Sequence, residues 1–103
     1  MHFDHEFEIP LHRADARIVV RMGGRPLREY AAMLQLEIDG RWTTIRLIDN
    51  HLDEHHMHRY DGPNKQQSGE RFATGEPRVV LPQAIRHLLE GADATISSWK
   101  SPQ

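Results

Sequence analysis

The sequence contains no cysteine. Disulfide staples and thiolate zinc sites are thereby excluded, and the absence suits a chain working in a reducing compartment. Nor is there an apolar run near the ~20 residues that a membrane-crossing helix requires. The opening segment His2-Phe3-Asp4-His5-Glu6-Phe7-Glu8 is acidic and alternating, unlike the cationic start and apolar stretch of a secretory leader. A cytoplasmic location is therefore expected, with no membrane partner. A strong charge of one sign is missing too: 13 Lys and Arg against 15 Asp and Glu give a formal net charge of -2. Proteins that coat nucleic acid are basic, because phosphate neutralisation supplies most of their affinity. Charge argues against that class, while leaving room for an enzyme that touches a few phosphates through a local patch. No phosphate-cradling glycine loop, serine nucleophile elbow or dinucleotide fingerprint occurs, and Gly23-Gly24 reads as a turn. What the chain has in abundance is histidine, eight of 103 residues.

That length suits one domain, residues 1–103, with one core and no covalent staples. Phe3 to Ile9 alternates with strand periodicity up to Pro10, and Ala16 to Met22 carries Ile18-Val19-Val20 before the two glycines. Leu27 to Ile38 alternates strongly and runs into Asp39-Gly40, the preferred pair for a two-residue type I′ hairpin turn. Arg41 to Asp49 is the returning strand. Counting outward from the turn pairs Ile38 with Arg41, Leu36 with Thr43, Leu34 with Ile45 and Ala32 with Leu47. One face then gathers Ala32, Leu34, Leu36, Ile38, Ile45 and Leu47 as core, and the other carries Gln35, Glu37, Trp42, Thr44 and Arg46. Asn50 to Glu54 turns the chain into a short strand from His55 to Tyr60, and Asp61 to Glu76 reads as a long loop. Pro82 suits the first turn of a helix whose apolar stripe is Leu81, Ile85, Leu88, Leu89, Ala92, Ile96 and Trp99. The expected fold is α+β: a twisted antiparallel sheet of four to five strands packed by one C-terminal helix.

Chemistry concentrates between Asp49 and Tyr60, where Asp49, His51, Asp53, His55, His56 and His58 fall together. On a strand, His56, His58 and Tyr60 share one face and His55, Met57 and Arg59 the other. Two histidines can deprotonate a ribose 2′-hydroxyl and protonate the leaving oxygen. An arginine can clamp the phosphate, and Tyr60 can donate a hydrogen bond or stack on a base. The residues expected to carry catalysis are His56 and His58 as acid–base pair, Arg59 as phosphate clamp and Asp49 as orienter of a histidine. Arg46 is a second anchor, and Asn50, His51, His55 and Tyr60 complete the binding set. No cofactor is expected. Two other accounts stand beside this one. His56 and His58 with His51, Asp49 or Asp53 could ligate a transition metal, although no zinc signature is matched. The strand could also be an edge decorated with polar groups, part of a non-enzymatic module that binds a protein or a metal through the histidines and Trp42.

The run Trp42-Thr43-Thr44-Ile45-Arg46-Leu47-Ile48-Asp49-Asn50, then His55-His56-Met57-His58, then a loop and a terminal helix, resembles the TumE-like toxins of bacterial toxin–antitoxin systems. Arg46, Asp49 and Asn50 match an R-x-x-D-N element of that family, and His55, His56 and His58 match its H-H-x-H run. The resemblance covers about half the chain, from the central hairpin through the helix. It implies a small toxin acting on RNA and neutralised by a helix-turn-helix antitoxin partner. A second copy of the chain is a further candidate partner.

Overall fold

A computed structural model describes residues 1–60 and 66–100. Six strands follow one another: β1 (His5–Pro10), β2 (Ala16–Gly23), β3 (Glu29–Ile38), β4 (Arg41–Asp49), β5 (His55–Arg59) and β6 (Glu70–Ala73). One helix, α1 (Pro77–Lys100), ends the described chain. The strands lie in a single sheet in sequence order, each antiparallel to its neighbour. This is the α+β class expected, with six strands rather than four to five. The additional strand is β6, inside the segment read as loop; its first part, residues 61–65, lies outside the described residues. No helix among the described residues is long and apolar enough to cross a membrane.

Asp39 and Gly40 form the hairpin turn with φ of 52° and 76°, the left-handed values that a type I′ turn demands at both central positions. Next to the turn the register is as counted, Ile38 opposite Arg41 and Leu36 opposite Thr43. Beyond it a β-bulge falls between Leu34 and Gln35, whose partners are Arg46 and Thr44. Ile45 is the extra residue. A bulge sets two residues against one, and because side chains alternate with period two, everything after it changes face. Ile48, fully buried, therefore takes the core position expected for Leu47, and Ala32 pairs with Ile48. Leu47 opposes Met33 on the far face. Arg46, expected on the far face, opposes Leu34 on the core side.

The helix covers that side with Val80, Leu81, Ala84, Leu88, Ala92 and Ile96, against Ile18, Val20, Ala32, Leu34, Leu36, Ile45 and Ile48. Leu89 is not part of the stripe and lies exposed. The helix also begins earlier than expected. Pro77 takes its first position, and Glu76 accepts hydrogen bonds from the amides of Val79 and Val80. Pro82 thus sits one turn inside, where it removes one helix bond near an end open to solvent. At the other end, Lys100 lies 3.4 Å from the Asp15 carboxylate. Asp15 also receives Arg13, which together with Lys100 holds its carboxyl down at about 2.

No helix among the described residues covers the other face. Charged pairs cross β1 and β2 there, Arg21 with Glu6 and Arg17 with Glu8, each at 2.8 Å. Arg17 also lies over the Trp42 ring, 4.2 Å from its centroid.

Candidate active site

Two elements build the histidine patch. β4 delivers Asp49 after the bulge has turned it to the open face, and β5 lies beside it with His56 opposite Asp49 and His58 opposite Leu47. His56 and His58 stand edge to face, ring centroids 6.3 Å apart. The Nδ1 of His58 is 3.1 Å from the Gln67 carbonyl oxygen. A carbonyl only accepts, so Nδ1 carries a proton, and Nε2 faces Asp49 Oδ1 at 3.8 Å. The Nε2 of His56 lies 3.0 Å from the Glu54 carboxylate. Asp49 also accepts a hydrogen bond from the His51 amide, and its side chain is 12% exposed.

Gly69 closes over the two rings. A methyl group there would stand 2.6 Å from His58 Cε1 and 3.0 Å from His56 Cβ. Gly69→Ala is therefore expected to displace the His58 ring while leaving the sheet intact. Histidine ring NMR signals should move, and any activity carried by His58 should drop. Unmoved His58 signals in Gly69→Ala would show that the contact does not constrain the ring.

The other expected site residues lie elsewhere. Arg59 belongs to the helix face with Met57 and His55, opposes Arg46, and pairs with Glu70. Side chains alternate along the strand, so Arg59 stands across the sheet from the His56 and His58 rings that it was expected to serve. The register partner of His56 on β6 is instead Arg71, an exposed side chain beside Glu54 and Thr74. Sequence reasoning missed it because β6 is short and follows a polar stretch. His51 sits exposed in a single 3₁₀ turn (His51–Asp53) and lines a separate hollow with Arg28, Glu29 and Asn50. Tyr60 donates to Gln66 at 3.2 Å. Burial, with a contribution from the Asp49 charge, raises its ionisation above the ordinary phenol range.

Asn50 and His55, expected to bind a ligand, are both buried and hydrogen-bonded within the fold. The Asn50 side chain, buried, accepts from the Tyr30 amide at 2.9 Å and donates to the Arg28 carbonyl at 2.8 Å, latching the start of β3 to the end of β4. His55 is 4% exposed and spans two partners, Gly75 oxygen at Nε2 and Tyr30 hydroxyl at Nδ1, each at 2.7 Å. Nε2 must donate to the carbonyl, which leaves Nδ1 to accept from the phenol. Burial first, and the Asp49 charge second, push the Tyr30 phenol well above its usual value. Near pH 10 an unfolded chain begins to lose this proton while the folded chain keeps it, so stability should fall as pH rises beyond about 10. Tyr30→Phe should flatten that alkaline fall, leaving a residue from Tyr60. Urea titrations from pH 8 to 11 that show the same slope in both chains would contradict it.

Among the described residues, no group of three or more His, Asp or Glu side chains is arranged to hold a metal ion. Compared with protein-family models, curated proteins and solved structures, the chain matches none.

Proposed function

We propose that this chain is a toxin-like endoribonuclease that works without a metal, with His58 as base and His56 as acid on the open face of the sheet. The observation carrying the proposal is the convergence of both rings with the Asp49 carboxylate on the face of the sheet away from the helix. His58 holds its Nδ1–H on Gln67, which leaves Nε2 to take the proton of a ribose 2′-hydroxyl, and Asp49 steadies the resulting imidazolium. The 2′-oxygen then forms a bond to phosphorus as the bond from phosphorus to the 5′-oxygen breaks. His56, its Nε2–H held by Glu54, gives its Nδ1 proton to that leaving oxygen. A 2′,3′-cyclic phosphate and a 5′-hydroxyl result. Arg71 replaces Arg59 as the guanidinium beside the scissile phosphate. A helix-turn-helix antitoxin would neutralise the protein by covering this face.

The test is cleavage of a mixed RNA followed against pH, with growth after expression in bacteria. One neutral and one protonated histidine are needed together, so the rate should trace a bell against pH. Expression should slow growth, and a folded His56→Ala/His58→Ala chain should not. A double variant as toxic as wild type, or no cleavage at any pH, would leave the non-enzymatic account. Trp42 favours that account in one respect: it is 37% exposed on the same face and held in place by Arg17.

A further inference from the structure

On the opposite side of the sheet, where the last turns of α1 approach β4 and β5, lies a cleft of about 250 Å³. Arg46 and Arg59 are direct register partners on its floor. Like charges facing each other across two strands repel unless something negative lies between them. Glu70 pairs with Arg59 and its charge also reaches Arg46, so one carboxylate serves two guanidiniums and the described lining stays cationic. The Arg46 Nε is buried with no hydrogen-bond partner among the described residues, a costly state for a charged donor. Burial and the neighbouring Arg59 both work against its positive charge. Thr95 and Ser98, one helical turn apart, offer hydroxyls from the opposite wall, and Trp99 closes the end.

We propose that this cleft binds a phosphate group, gripped by the Arg46 and Arg59 guanidiniums and hydrogen-bonded by Thr95 and Ser98. A phosphate supplies the missing negative charge and accepts from planar guanidiniums in pairs, satisfying the buried Nε in the same step. Tyr60 and Gln67 also line the cleft, and the Gln67 carbonyl holds the His58 ring. The two guanidiniums, however, lie across the sheet from the histidine rings, so either set can fail without the other. The phosphate can be free or carried by a nucleotide whose base stacks on Trp99.

Titration of inorganic phosphate, and separately of adenosine monophosphate, tests the proposal in a Trp42→Phe chain, where Trp99 is the sole tryptophan. Trp99 emission should change saturably with phosphate, and not with sodium chloride at matched ionic strength. Arg59→Gln and Arg46→Gln should each weaken binding about tenfold or more, as expected for a lost charged hydrogen bond. Arg59 is half exposed, so its variant tests the site even if Arg46→Gln does not fold. His56→Ala/His58→Ala should bind as the parent does. Adenosine monophosphate binding tighter than phosphate assigns the base to Trp99, whereas equal or weaker binding assigns free phosphate. No saturable change with either ligand, or an unaltered affinity in folded Arg59→Gln, would overturn the proposal.

Discussion

Under the proposed mechanism, a His58→Ala chain is expected to cleave RNA about 10²–10⁴-fold more slowly than wild type, the usual share of one general acid or base. His58 is the member of the pair whose ring is set from both sides, Nδ1 by the Gln67 carbonyl and Nε2 by Asp49. In that mechanism its removal takes away the base and the purpose of the Asp49 carboxylate together, so Asp49→Asn should add little in the His58→Ala background. Residues coupled in one step lose rate non-additively. The side chain lies outside the main core, so circular dichroism and the thermal midpoint should barely move. His87→Ala is the control, since that ring packs edge-on against Phe72 from α1 on the other side of the sheet. A folded His58→Ala chain cleaving at the wild-type rate would remove His58 from the mechanism. Additive losses for Asp49→Asn and His58→Ala would show that the carboxylate acts elsewhere.

Leu88→Ala is expected to lower stability by about 2–5 kcal/mol, the cost of deleting buried methylenes plus the cavity left behind. Leu88 is 2% exposed at the middle of α1, in the same cluster as Leu34 and Leu36 of β3. A single helix supplies one whole layer of this core, so no neighbouring helix can shift to refill the space. Folded domains are stable by only about 5–15 kcal/mol, and the loss is a sizeable part of that. Leu89→Ala, one residue along but exposed, should change stability by about 0.5 kcal/mol or less. Urea denaturation of the two variants separates the buried position from the exposed one. Equal losses would mean that the helix is rotated from the orientation described.

The alternation of Leu27–Ile38, the Asp39-Gly40 turn and the apolar stripe of α1 are local signals, and the fold class followed from them. The bulge at Ile45 was not legible, because Thr44-Ile45-Arg46 carries no glycine or proline to mark it, and alternation alone extended the pairing straight through. That one residue decided which face received Arg46, Leu47, Ile48 and Asp49. The grouping of His56 with His58 needed only strand parity and could be read directly. The buried roles of Asn50 and His55 depend on the Arg28 carbonyl, Tyr30 and Gly75, partners 20 or more residues away, and no local pattern points to them. Arg71 went unseen for the same reason, since its place is set by pairing to β5.

Because each strand of the sheet pairs with the next in sequence, every hairpin can close as soon as its second strand leaves the ribosome, with no wait for a distant partner. The helix is made after all of them. During synthesis the sheet therefore exists for a time with Ile18, Val20, Leu34, Leu36 and Ile48 facing water, a nascent-chain surface open to chaperones or to another half-made copy. Folding to completion is a single late docking event, and a message cut short before Pro77 would yield a sheet with nothing to cover its apolar side.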